Sequence, residues 1–163
     1  MAIEYDLDIA TRSSAAEVAA WLAETGREIG VFDASITSEQ LVNKGEFVYT
    51  RLGTCVSVIQ QRPPHPWDPI VTDLRFTPTV DVGFRMGKET DTPDQQDDMI
   101  RLVAPLLERF DGDAVLHFQF EVIWLLRKNS ELSLNERNDL WRPQRLALMT
   151  QPYRRETHTM DMD

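Results

Sequence analysis

The sequence predicts an α+β fold: a largely antiparallel, twisted sheet carrying two main helices on one face. Three observations support this. Residues 3–9 alternate apolar and acidic side chains, the pattern of a half-buried strand. Two longer segments place apolar residues at helical spacing behind N-terminal capping signals. The order strand, capped helix, several strands occurs twice, roughly over 2–62 and 78–136, as a duplicated βαβββ plan would produce.

In "IEYDLDIA", Ile3, Tyr5, Leu7 and Ile9 face one way and Glu4, Asp6 and Asp8 the other, so one face is expected to be wet. Ser14 and Glu17 then form a capping box for a helix over Ser14–Thr25, with Val18, Trp21 and Leu22 as its stripe and Gly26 placed to close it. Thr37 and Gln40 repeat the capping logic for a short helix. "EFVYTRLGTCVSVIQQR" is β-rich, with Gly53 at a hairpin turn. Four prolines keep "RPPHPWDP" out of regular structure. Val80, Val82, Phe84 and Met86 alternate as a strand.

The second main helix is expected over Pro93–Phe110. Thr92 is its N-cap candidate, Gln95 completes a capping box, and Pro105 should bend it. Met99, Leu102, Val103, Leu106, Leu107 and Phe110 form its apolar stripe. "AVLHFQFEVIWLL" reads as one long strand with Phe118, Phe120, Val122 and Trp124 on one side. A hairpin follows around Lys128, Asn129 and Ser130, and then a short helical turn or edge strand. Trp21, Leu102, Leu106, Phe118 and Phe120 are expected in the core. The domain is expected to span 1–155, with 156–163 an exposed tail.

The chain has 163 residues, enough to bury a sizeable core. No apolar run approaches the roughly 20 residues that span a bilayer, and the acidic start lacks a signal peptide's basic and apolar regions, so a cytoplasmic protein with no membrane association is expected. The net charge of −10 is uneven. Residues 1–126 hold 10 bases and 21 acids, whereas 127–155 hold seven bases and three acids. So acidic a body argues against nucleic-acid binding and fits a basic protein partner.

The only cysteine, Cys55, permits no intramolecular disulfide and reads as a small buried hydrophobe. His65, His117 and His158 form no metal-ligand motif, and on one strand His117 and Glu121 would lie about 13 Å apart, too far for a catalytic pair. No nucleophile elbow or phosphate loop is present. The expectation is therefore no enzyme activity, no cofactor and no metal. The acidic stretch "KETDTPDQQDDMIRL" does not have calcium-loop spacing. Asp91 and Asp94 suit the positive end of a helix. Asp97 and Asp98 lie further in, where that benefit fades, and Asp98 projects about 100° from Met99 on an ideal helix. Their charge is read as a surplus that would meet a basic partner. Trp67 and Asp68, on the stiff proline loop, complete the candidate contact set, with Trp67 as a rigid anchor.

"MAIEYDLDIAT", "VTDLRFTPTVDVGFRM", "QQDDMIRLVAPLLERFDGDAVLHFQFEVIWLLRKNSELSLNE" and "WRPQRLALMTQPYRRETH" together resemble the Sit immunity family of small bacterial proteins. That family is named for immunity partners of toxins exchanged between cells by contact. The resemblance implies a non-enzymatic protein that binds and neutralises a cognate toxin, and it transfers no contact residues. Two other readings stand beside it: a small-ligand binder or enzyme using a pocket between sheet and helices, and a homodimeric interaction module.

Overall fold

A computed structural model describes residues 2–43, 45–61 and 63–160. The alternation at the N-terminus becomes strand β1 (Glu4–Ile9), with Tyr5, Leu7 and Ile9 buried on one face. The sheet continues through β2 (Val48–Tyr49), β3 (Cys55–Gln60), β4 (Val80–Arg85), β5 (Ala114–Phe118), β6 (Val122–Lys128), β7 (Glu131–Leu134) and β8 (Arg154–Arg155). Their spatial order is β2-β3-β4-β1-β5-β6-β7-β8. Every pairing is antiparallel except β7 with β8. The antiparallel pair β1–β4 sits in the interior, and each of the two strands leads into a main helix. The duplicated plan holds only that far. After the first helix the chain enters at the edge and walks inward, β2 to β3 to β4; after the second it walks outward from β5.

Helix α1 (Ala15–Glu28) starts at the predicted Ser14–Glu17 capping box. It does not stop at Gly26, which is a packing residue: a Cβ there would lie 2.2 Å from the Phe32 ring. Trp21 is half-buried rather than core, set edge-on to Phe110 at 5.9 Å. The short α2 (Ser38–Val42) keeps its Thr37–Gln40 box. The second main helix, after a short α3 (Pro69–Thr72), is α4 (Thr92–Arg109). Its cap is Asp91 without a side-chain cap bond, not Thr92, and the expected box is absent. Gln95 is instead fully buried. Its Oε1 accepts from Thr54 Oγ1 and Gly87 N at 2.8 Å each, and its Nε2 donates to Gly87 O and Thr90 O.

The helix runs on through Pro105. An interior proline costs about 3 kcal/mol. Leu102, Val103, Leu106 and Leu107, all fully buried around it, each contribute about 1.5–3 kcal/mol by leaving water. Both α1 and α4 pack on the same sheet face and enclose the main core with Leu7, Val58, Val82, Leu116 and Trp124.

The aromatic segment is not one strand. It folds back between β5 and β6 through Gln119 (φ 51°) and Phe120 (φ 62°), with Glu121 N donating to Phe118 O at 2.8 Å. Two successive left-handed residues make the primed turn that suits a hairpin, but here without the usual Asn or Gly. His117 supplies what those residues would: its Nδ1 accepts from Phe120 N at 3.0 Å, and its ring stacks on Phe120 at 4.5 Å. Phe118 and Phe120 consequently leave the shared face expected of them. Both are only partly buried, Phe118 against the main core and Phe120 against a second cluster on the opposite sheet face.

The next hairpin forms as predicted, with Asn129 (φ 52°) and Ser130 (φ 67°) at its turn. Both α5 (Pro143–Leu146) and the edge strand β8 follow. Of the expected tail, residues 161–163 lie outside the described residues, and Met160 is buried in the second cluster with Ile70, Leu74, Phe76, Val115, Ile123 and Leu126. That cluster covers the back of β5 and β6. Among the described residues no such apolar cluster lies on the back of β3, β4 and β1, where Asp8 alone is fully covered, and this more open face positions the candidate site.

Candidate docking face

The register aligns side chains across the open face in rows. Tyr49, Cys55, Arg85 and Glu4 form one row. Ser57, Gly83, Asp6 and His117 form the next, and Ile59, Asp81, Asp8 and Val115 the third. The end of α2 and the residues after it bring Leu41, Val42, Asn43, Glu46 and Phe47 to the strand edge. With Glu4, Asp6, Cys55, Ser57, Ile59, Gly83 and Arg85 they enclose a groove of about 360 Å³. Phe47 is 72% exposed, Tyr49 53% and Ile59 43%.

At the groove's inner end, β1 and β4 bring Asp6, Asp8 and Asp81 together. His117 is fully buried, and since Nδ1 already accepts from Phe120, Nε2 carries the proton and donates to Asp8 Oδ2 at 2.9 Å. Gln61 Nε2 donates to Asp8 Oδ1 at 2.9 Å and to Asp81 Oδ2 at 3.3 Å. Burial, reinforced by the charges of Asp8 and Asp6, holds the Asp81 carboxyl well above the usual range. Asp6 is raised for the same first reason, its contact with Asp81 partly offsetting it. Among the described residues, no Lys or Arg forms an ion pair with these three carboxyls, and no group of His, Cys, Asp or Glu is arranged to hold a metal. Sequence reading assigned Asp8 a wet face and placed Glu121 too far from His117 to pair with it; the β1–β5 pairing instead buries Asp8 and makes it the partner of His117. The legible signal was only the run of acids at alternate positions.

The six candidate contact residues are not brought into one patch. The loop bearing Trp67 and Asp68 joins Gln60 to Val80, whereas Asp91, Asp94, Asp97 and Asp98 follow Arg85, at the other end of six-residue β4, about 17 Å away along the strand. Trp67 is 72% exposed and stacks on His65 at 4.7 Å, so it does not fold back on the sheet. Asp68 caps α3 through Ile70 N. Asp94 lies exposed in the first turn of α4.

Asp97 and Asp98 are not surplus charge. Asp97 accepts from Arg142 Nη2 at 2.7 Å and from Arg145 Nε at 2.6 Å. Burial would raise its pKa, but those two hydrogen bonds outweigh it and hold Asp97 below the usual range. Asp98 is only 6% exposed and accepts from Arg101 Nη1. Its pKa is raised by burial, the Arg101 contact offsetting only part.

The acidic stretch thus seats the basic C-terminal segment of its own chain. Arg145, 1% exposed, also donates to Pro93 O, Gln96 Oε1, Asp139 O and Leu140 O. Arg127 donates to Leu107 O, Phe110 O and Gly112 O, satisfying carbonyls at the end of α4. Lys128, Arg137 and Arg154 pair with Asp113, Asp139 and Glu156, and Arg155 donates to Asn135 O. All seven bases of 127–155 are engaged internally.

These features define a class: an α+β scaffold with an open, acid-bearing sheet face and no helix, among the described residues, long and apolar enough to cross a membrane. The chain belongs to the SitI3-like family, whose model matches residues 3–145. No curated protein and no solved structure matched the chain.

Proposed function

We propose that this chain is a non-enzymatic, cytoplasmic immunity protein that binds and neutralises a cognate protein toxin. The observation that carries the reading is membership of the SitI3-like family across 3–145, which takes in strands β1 to β7 and both main helices. A rigid scaffold with an acid-rich exterior suits that role, since complementary charge speeds and orients docking on a basic partner. Asp91, Asp94, Trp67 and Asp68 remain candidate contacts, alongside the open sheet face. The test is co-expression with the product of the neighbouring reading frame. The expected result is protection from its toxicity and recovery of a stoichiometric complex; a toxic product that neither binds this chain nor is silenced by it overturns the reading.

One observation favours a second reading. Carboxyls with raised pKa beside a groove are what acid–base catalysis employs. Against it, His117 is wholly buried and Asp8 is 2% exposed, with both of its oxygens engaged, so a substrate would reach only Asp6 and Asp81.

A further inference from the structure

We propose that the open face bordered by Phe47, Tyr49 and Ile59 docks a basic segment of a partner protein, with an apolar side chain in the groove and a Lys or Arg side chain over Asp6. The inference rests on the reading that this chain acts by binding protein, and it names the surface and the partner's chemistry.

Two independent features meet here. The first is apolar. Phe47 and Ile59 are large, well exposed and line one groove, and exposed Tyr49 pairs with Cys55 at its border, whereas exposed apolar residues on a monomer are ordinarily scattered. Gly83 keeps the floor open: a Cβ there would lie 3.0 Å from Ser57 Oγ and 3.6 Å from Asp6 Oδ1. The second is charge. Glu4, Asp6 and Glu46 line the groove, with Asp81 and Asp8 behind Asp6. The one described base that lines it, Arg85, already faces Glu4 at 3.6 Å.

Charge selects the occupant. A purely apolar segment would strip water from Asp6 and leave its carboxylate without a cation, which is costly. A second copy of this chain, meeting the face through a two-fold axis, would set the same carboxylates against one another. A cationic side chain pairs with Asp6 while its apolar neighbour covers Phe47 and Ile59, so one short segment satisfies both features.

Amide chemical-shift titration of the full chain tests this with two decapeptide probes, one alternating Lys and Leu and the other Glu and Leu. The expected result is saturable shifts at Phe47, Tyr49, Ile59 and Gly83 with the Lys–Leu peptide alone. The Phe47→Ser/Ile59→Ser variant should bind it roughly tenfold more weakly. Both substituted side chains are exposed, and a thermal melt checks that the variant is folded. No saturable shifts, shifts centred on the start of α4, equal response to both peptides, or unchanged affinity in the variant each overturn the proposal. The co-expression assay separates this from the immunity reading. If wild type protects and the double variant protects equally, the groove is wrong and immunity stands; if wild type fails to protect, immunity falls while the titration still decides the groove.

Discussion

Replacing Asp97 by alanine should destabilise the protein by about 3 kcal/mol, although the residue sits at what reads as a solvated helix start. The magnitude follows from its partners. Its side chain is 14% exposed and takes two charge-assisted bonds, from Arg142 at 2.7 Å and Arg145 at 2.6 Å. Such bonds contribute about 1.5–3 kcal/mol each. Breaking a buried pair costs about 3–5 kcal/mol because the remaining charge is stranded. Arg145 keeps four other acceptors, three carbonyls and the Gln96 amide, which places the cost at the low end. Urea denaturation checks it: the midpoint should fall at constant slope. In a thermal melt the loss corresponds to about 6–12 °C for a chain of this size. Asp98→Ala is the control. Its partner Arg101 is 50% exposed and burial already raises its pKa, so it should cost no more than about 1 kcal/mol. Since the Asp97 pKa is lowered on folding, its contribution is full above its ordinary value of 3.8 and is lost as pH falls through the lower folded value. The difference between wild type and Asp97→Ala should therefore shrink in strong acid. An Asp97→Ala variant within about 1 kcal/mol of wild type, or an Asp98→Ala variant that is the worse of the two, would refute the internal-pairing account.

Asp81→Asn should become progressively more favourable relative to wild type as pH rises from 4 to 7. The folded Asp81 pKa is raised, so its contribution is present at low pH and lost as pH rises through that folded value, while asparagine does not titrate. Melting temperatures of both proteins across that range check this, and a flat or falling difference contradicts it. His117→Phe should cost about 2–6 kcal/mol, because Phe120 N and Asp8 Oδ2 each lose a partner at about 1–3 kcal/mol apiece. Amide exchange at Phe120 should accelerate as the turn loosens; unchanged stability and exchange would show that the turn does not depend on His117.

Local rules read much of this fold directly. The Ser14 and Thr37 capping boxes, the stripe of α4 and the Asn129–Ser130 turn are interactions among residues a few positions apart, where geometry follows from spacing. The errors share a different cause. Gln95 stands where a capping residue belongs but bonds to Thr54 and Gly87. Gly26 reads as a stop because Phe32, which requires its missing Cβ, lies on a later loop. The β5–β6 turn lacks turn residues and is held by a histidine that also pairs with an aspartate on another strand.

The sequence by itself determined the α+β class, the two amphipathic helices and the strongly acidic balance, because periodicity and composition are properties of the chain before it folds. Only the tertiary structure decided what that acid does. Asp97 lies 45 positions from Arg142 and 48 from Arg145, yet their contact uses charge that seemed free for a partner. Asp6 and Asp81 lie on strands distant in sequence that antiparallel pairing brings together, where burial and like charge raise both pKa values. Net charge is additive along a sequence; whether a given charge is neutralised, buried or left facing solvent depends on distances that exist only after the strands have paired.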